Sequence, residues 1–399
     1  MMNEARTPPS IPLDFDGLRP PSPFLQPEHD AWRTHVRAFV DSQIAPNLHA
    51  WDAASDFPDQ LYHEAALAGI LGMGFRVDLG GTGEDIDLYH RIIFAEEFFR
   101  LGSGVVFADL ATPWIALPPV IAGGAPEMLD RVARPVLAGT RKIAFAVTEP
   151  GGGSDVSGFT TTAERRGEYF VVNGGKTLIS GALKADFLLT AVRTGGPGIG
   201  GLSLLLIETE RPGVTRGPVP GLQWYNRNNG WIEFDEVEVP VANLVGVENR
   251  GFAGLAHQFN IERFSGISAT LAMTRTCVAE AIAFARERHT FGKRLIDHQV
   301  IRHKIVDLIQ RIKVAYAFLD MLVWRFGRGE TPVADLAMLK VQATTTLEHA
   351  ARECLQILGG RAYTGTNRVE RIYREARIFV IGGGAEEVLR DLAARQLAL

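Results

Sequence analysis

Ala146-Val147-Thr148-Glu149-Pro150-Gly151-Gly152-Gly153-Ser154-Asp155-Val156-Ser157-Gly158 is the stretch on which the reading of this chain turns. It runs from an apolar, strand-like segment into a loop with three successive glycines. Backbone without Cβ atoms can approach a flat ring or a phosphate closely, and its N–H groups, with the Thr148 and Ser154 hydroxyls, can hydrogen-bond polar edges. A Gly-rich β-turn accounts for the same run, because such loops are common punctuation. A dinucleotide fingerprint does not. No helix-opening pattern follows the glycines, and the next apolar run, Phe170-Val171-Val172, reads as a strand.

Working outward, residues 141–250 carry short β-rich runs: Ile143 to Val147, Tyr169 to Val172, Phe187 to Val192, Leu202 to Ile207 and Trp231 to Val239. Asn173-Gly174-Gly175 and the Gly-rich stretch Gly195 to Gly201 read as turns between them. This is a middle β domain, a barrel or sandwich. Residues 28–140 show apolar positions three and four apart, as in Trp32, Val36, Phe39 and Val40, and then Leu61, Ala65 and Leu67, which predicts an N-terminal helical domain. Helical periodicity returns over 251–399, with helices expected at roughly 252–290, 296–327, 332–358 and 384–397, a C-terminal four-helix bundle. Residues 1–27, with Thr7-Pro8-Pro9-Ser10 and Arg19-Pro20-Pro21-Ser22-Pro23, read as a flexible tail. The fold class is α+β, multidomain, with a ligand cleft expected between layers.

The bulk properties narrow the function. A chain of 399 residues suits two or three packed units. A formal charge of -5 and a pI near 6.1 provide no field for a nucleic-acid backbone. Cys277 and Cys354 have neither metal-site spacing nor disulfide density, which favours a reducing compartment, the cytoplasm by default. No signal-peptide core or long apolar run argues for a membrane, and the histidines lack the close pairing of metal ligands.

The Ala146–Gly158 run resembles the first signature of the acyl-CoA dehydrogenases at every fixed position, and the resemblance continues over nearly the whole chain. Val172-Asn173-Gly174-Gly175-Lys176 with Ile179-Ser180 resembles the family's strand against the flavin. Arg288-His289-Thr290-Phe291-Gly292-Lys293 with Gln299 resembles its flavin-phosphate segment, and Gln356-Ile357-Leu358-Gly359-Gly360 its adenine-side turn. The resemblance implies FAD as cofactor, with Phe145, Val147, Thr148, Ile179 and Ser180 against the ring. It implies that Arg288, Thr290, Phe291, Gln299, Gln356, Gly359, Gly360 and Glu387 hold FAD across a subunit contact, and that Ser154 and Arg263 meet the acyl-CoA, Arg263 at the CoA phosphates or at neighbouring acid groups. Without it, Arg288 reads rather as a solvated cation at a helix end, one among Arg286, Lys293 and Arg294.

α,β-Dehydrogenation needs one carboxylate over the α-carbon, in a dry pocket that raises its pKa. Many members supply a Glu in a Tyr-Glu-Gly-Thr motif, where this chain has Gly382-Gly383-Gly384-Ala385. The isovaleryl-CoA and long-chain members instead carry the Glu on the first helix of the bundle, and the matching segment here is Phe259-Asn260-Ile261-Glu262-Arg263-Phe264. The resemblance therefore implies Glu262 as base, with the Gly383 backbone N–H polarising the thioester carbonyl. On the residues alone, a Glu on a polar stripe beside Arg263 fits as well.

Ala362, Thr366 and Ala385 depart from residues usual in the family, each at the level of one hydrogen bond or turn preference, on the order of 1 kcal/mol. Leu178 stands where Trp often shields the flavin. The expected activity is oxidation of a branched, bulky or longer-chain acyl-CoA to the trans-2-enoyl-CoA, with electrons passed to an electron-transfer flavoprotein, by a homotetramer. Two readings compete: an oxidase or monooxygenase on the same scaffold, and a non-catalytic flavin-binding protein. Leu101 to Phe107 and Trp224-Tyr225 are expected to shape the acyl pocket.

Overall fold

The computed structural model describes residues 12–220, 228–364 and 367–399. Trp224, Tyr225, Thr366 and the Thr7–Ser10 segment lie outside them. The chain begins with helices Pro27–Phe39, Leu48–Ala54, Gln60–Leu67, Leu88–Phe99 and Thr112–Gly123, joined by shorter turns. Asp87 starts the fourth by accepting from the N–H groups of Tyr89 and His90, a side-chain cap that satisfies donors the helix leaves open. Phe94 on that helix meets Trp114 edge-on with ring centroids 4.2 Å apart, and this pair centres the N-terminal core.

Residues 12–26 do not form the loose tail expected from their prolines. Leu18 is buried, Arg19 pairs with Glu96 at 3.1 Å, Asp16 pairs with Arg37 at 2.7 Å, and Arg275 donates to the Phe15 carbonyl at 2.7 Å. These ionic partners lie far along the chain, so local composition could not reveal them.

The middle unit is one eight-stranded sheet: β1 Ile143–Ala146, β2 Thr162–Arg166, β3 Tyr169–Ile179, β4 Phe187–Arg193, β5 Leu202–Glu208, β6 Val214–Pro218, β7 Gly230–Pro240 and β8 Leu244–Val245. Their order is β6-β7-β3-β2-β4-β5-β8, and β1 lies parallel to β4 with Ile143 opposite Phe187. β4 and β5 are buried along almost all their length, as their unbroken apolar text requires. The sequence reading passed over β2 and β6, whose Thr-Ala-Glu-Arg-Arg and Val-Thr-Arg-Gly-Pro lack an apolar run. Asn173-Gly174-Gly175 is no turn between strands but the bulged middle of β3. Gly174 sits at φ +132°, where a Cβ would come 2.7 Å from the Thr161 Cα, so the bulge takes glycine by both conformation and space.

Among the described residues five α-helices follow: Gly251–Glu287, Gln299–Gly327, Val333–Leu358, Arg368–Ile381 and Glu386–Gln396. The fourth corrects the four-helix expectation. It is crowded with charge, but Val369, Ile372, Ala376 and Val380 are buried on one face. Gln258–Glu287 is apolar and long enough to cross a membrane by composition, yet 78% of its apolar window is buried inside the molecule, as befits the central helix of a bundle.

Candidate active site

The glycine loop leaves β1 and folds back on itself. Glu149 and Gly152 exchange backbone hydrogen bonds of 3.2 and 3.0 Å across Pro150-Gly151. Where Cβ atoms of Gly151 and Gly152 would stand there is open space within 4 Å, so these glycines keep a face of bare backbone clear. β3 closes the other side, where the Thr177 N–H donates to the Thr148 carbonyl at 2.9 Å. Val147 and Thr148 are thus brought to Ile179 and Ser180, with Leu178 half exposed beside them at φ +58°.

Behind this strip lies an ion pair that the sequence reading missed. Lys176 is buried and donates to Glu149 Oε1 at 2.8 Å and to the Val147 carbonyl at 3.1 Å. Glu149 also accepts from the N–H groups of Thr160 at 2.6 Å and Thr161 at 3.0 Å. Burial opposes its charge, but Lys176 and these donors hold its carboxyl down to about 2. Burial pulls Lys176 down to about 8, so the pair is ionised at neutral pH.

A second constellation joins three elements of the bundle. Glu262 lies on the Gly251–Glu287 helix, and burial pushes its carboxyl above the ordinary value, with the charges of Arg263 and Lys340 working against that. Glu262 is half-buried as a residue. Arg263 donates to Asn260 Oδ1 at 2.8 Å and to the Gly383 carbonyl at 3.4 Å. Its guanidinium thus meets the Gly383 turn. Gly383 has φ +67° and Gly384 φ +111°, and among the described residues the Gly383 N–H has no acceptor.

The remaining expected cofactor residues, Glu387 excepted, lie toward one end of the bundle; Glu387 starts the last helix, beside the Gly384 turn that Lys340 meets. His289–Thr290 and Lys293–Arg294 form a two-residue hairpin, with Phe291 at its tip at φ +49° and 98% exposed. A large aromatic in a strained and open position is built to be covered. Thr290 Oγ1 lies 3.0 Å from His298 Nε2, fixing the hairpin to the start of the Gln299–Gly327 helix. Arg288, Gln299, Gln356, Gly359, Gly360 and Glu387 are all exposed, as is Ser154 on the glycine loop. Arg361 lies over Phe284 at 5.7 Å, which brings the Gly359–Tyr363 turn to the same end of the long helix. Among the described residues no hydrogen bond or ion pair joins this end to the Thr148 strip.

His29, Asp87 and His90 offer ligand atoms within 4.8 Å of one another. However, His29 Nδ1 accepts from the Gln26 N–H at 2.9 Å, which leaves the proton on Nε2 facing Asp87. That tautomer cannot ligate, and the group reads as helix capping.

Comparison with known proteins places the three units in one family. Residues 26–140, 144–237 and 249–398 match the acyl-CoA dehydrogenase N-terminal, middle and C-terminal domains. The acyl-CoA dehydrogenase AFT10-1 of Alternaria alternata is 35% identical over 92% of this chain and 91% of its own length. The chain belongs to the acyl-CoA dehydrogenase family. The caffeyl-CoA reductase-Etf complex subunit CarC of Acetobacterium woodii is 30% identical over 89% of this chain and 94% of its own. The solved acyl-CoA dehydrogenase of Geobacillus kaustophilus superposes with a TM-score of 0.90 at 27% identity, covering 95% of this chain and all of that one. The three-domain acyl-CoA dehydrogenase fold expected from the sequence stands, and the chain is a flavoprotein oxidoreductase acting on CH–CH bonds.

Proposed function

We propose that this acyl-CoA dehydrogenase oxidises a branched, bulky or longer-chain acyl-CoA to its trans-2-enoyl-CoA, with Glu262 as the base. The carrying observation is geometric: Glu262 directly precedes Arg263, whose guanidinium donates to the Gly383 carbonyl at 3.4 Å, and burial pushes the Glu262 carboxyl up there. A carboxylate whose proton affinity is raised takes an α-proton more readily than an exposed one. The Gly383 N–H, without an acceptor among the described residues, can donate to the thioester oxygen as negative charge builds there. Gly383 itself carries no acid group, so the base must come from another element.

FAD, which the family implies, fits the residues present: the open backbone at Gly151 and Gly152 leaves room for a flat ring. Phe145, Val147, Thr148, Ile179 and Ser180 would hold the ring, Thr148 bonding its polar edge. Arg288, Thr290, Phe291, Gln299, Gln356, Gly359, Gly360 and Glu387 would hold the rest, from two copies of the chain in a homotetramer. When bound, FAD supplies the acceptor for the hydride that leaves the β-carbon. The exposed Phe291 supports a second copy, since one chain alone leaves it uncovered. Ser154, exposed on the glycine loop, would meet the thioester arm. An electron-transfer flavoprotein as electron acceptor is supported by the Etf in the name of the CarC complex.

One observation keeps an oxidase reading: Leu178 is 51% exposed where relatives often place Trp, so oxygen has a path to the ring. The test is anaerobic titration with straight, branched and terpenoid acyl-CoAs, following flavin bleaching in wild type and Glu262→Gln. Bleaching by one thioester in wild type, slowed about 10²- to 10⁴-fold in the variant, is the expected result. Equal rates would make Glu262 structural, and rapid oxygen consumption by the reduced wild type would favour the oxidase.

A further inference from the structure

Lys340 is a buried lysine that the reaction as derived does not use. It lies on the Val333–Leu358 helix between Leu336, Leu339 and Ala343, all buried. Its ammonium donates to the Gly384 carbonyl at 2.7 Å and to the Val380 carbonyl at 3.4 Å. Val380 is in the last turn of the Arg368–Ile381 helix, where carbonyls have no partner within the helix. The Gly382 N–H closes that helix onto Ile378 at 2.7 Å, so Lys340 spans the turn from the helix end to its far side. Arg263 takes the intervening carbonyl of Gly383. Two cations from two different helices thus grip a turn of three glycines, of which Gly383 and Gly384 have positive φ. Three glycines in sequence are the most mobile backbone a chain can offer, and an ordered N–H there needs outside anchors.

We infer that Lys340 is a positioning residue: by holding the Val380 and Gly384 carbonyls, it fixes the direction of the Gly383 N–H toward the thioester oxygen. The role rests on the dehydrogenase reading above. It explains why a lysine is kept in an apolar helix row, where an ammonium without partners is costly. The charged groups around it are Arg263 and Glu262 on the long helix and Glu386 at the start of the last helix. Glu262 and Glu386 favour its ammonium, while burial and Arg263 oppose it.

Lys340→Met removes both bonds at similar length, and Lys340→Gln keeps one neutral donor. Both are to be prepared as FAD-loaded protein beside wild type. Three readouts are taken: anaerobic flavin reduction by the best thioester, the dissociation constant of the enoyl-CoA product, and the infrared carbonyl frequency of that bound product. Flavin reduction in Lys340→Met is expected to fall about 100-fold, the effect of losing one oriented donor, with product affinity within about threefold of wild type. The red shift of the thioester carbonyl should shrink in the same variant and be partly kept in Lys340→Gln. A general loss of packing would weaken binding and flavin retention without this ordering. Wild-type rate and carbonyl frequency in FAD-loaded Lys340→Met would overturn the inference and leave the dehydrogenase reading intact. A wild type that no thioester reduces would overturn that reading first, and the positioning role with it.

Discussion

The Lys176 ammonium sits 2.8 Å from Glu149 Oε1, directly behind the backbone of Val147 and Thr148. Both side chains are buried, and Lys176 also lies 4.6 Å from the centre of the Phe159 ring. The pair locks β3 to the start of the glycine loop, the two segments proposed to hold the flavin ring. Lys176→Met strands a buried carboxylate, which destabilises by about 3–5 kcal/mol, whereas removing both charges together is close to neutral. We expect the single variant to lose flavin on gel filtration and to unfold at lower urea, and Lys176→Met/Glu149→Gln to recover much of the stability. A single variant as stable as wild type would show that the ion pair is incidental.

The raised carboxyl of Glu262 predicts the sign of a pH effect. Only its ionised form can take the α-proton, and burial delays ionisation to higher pH than an exposed Glu would show. Flavin reduction at saturating thioester should therefore rise with pH through a value above about 4.3, the ordinary Glu pKa. Stopped-flow bleaching across pH 5 to about 8 reads it directly. Glu262→Asp should keep the limb at reduced rate, and a wild-type rate flat over the whole range would remove Glu262 from the proton transfer.

The fold was legible because its signals were local: the glycine loop, the β-rich text of β4 and β5, and the long periodic helices each carry their pattern in adjacent residues. The Arg368–Ile381 helix was missed because charges crowd its exposed face and its apolar stripe is narrow. Glu262 was singled out by the family resemblance, since its neighbours alone fit a Glu on a polar stripe at least as well. Lys176, Lys340 and Glu375 were not, since each owes its meaning to a partner far off in the chain, such as Gly384 for Lys340. A lysine in an apolar row of a helix is the one cue that Lys340 gave.

Glu375 carries a further pH prediction. It is buried at the junction of the Arg368–Ile381 helix with the Leu101–Phe107 segment; Oε2 accepts from the Gly104 N–H at 2.9 Å, and Oε1 has no partner among the described residues. Burial pushes its carboxyl up to about 8, with the neighbouring Asp52 adding to the rise. Between about pH 4.3, where an unfolded Glu ionises, and the folded value, the native state holds a proton that the unfolded chain has lost. Stability therefore falls as pH rises through that window, by up to about 1.4 kcal/mol per pH unit from this group. Glu375→Gln keeps an acceptor for Gly104 and cannot ionise. Urea unfolding at several pH values should show the variant flatter than wild type and more stable at pH near 8. An unchanged slope would mean that Glu375 is ionised in the native protein.

Glu96 presents the opposite case. Its buried carboxylate faces Arg33 at 2.8 Å, Arg19 at 3.1 Å and Arg275 at 3.6 Å, and it accepts from the Tyr316 hydroxyl at 2.9 Å. Burial works against its charge, but the three guanidinium groups hold the carboxyl far below the usual carboxylate range. Its stabilising contribution is complete above about pH 4.3 and is lost as pH falls toward the folded value, because the unfolded chain takes up the proton first. Glu96→Gln leaves the buried Arg275 and the largely buried Arg19 and Arg33 facing one amide, a change of up to about 3–5 kcal/mol against folding. Since Arg19 belongs to the 12–26 segment and Arg275 to the central helix, the variant should also release the N-terminal segment before the rest unfolds. Limited proteolysis at neutral pH is expected to clip Glu96→Gln near Phe15 and Arg19 while wild type resists. Equal resistance would show that Leu18 and the Asp16–Arg37 pair hold the segment without Glu96.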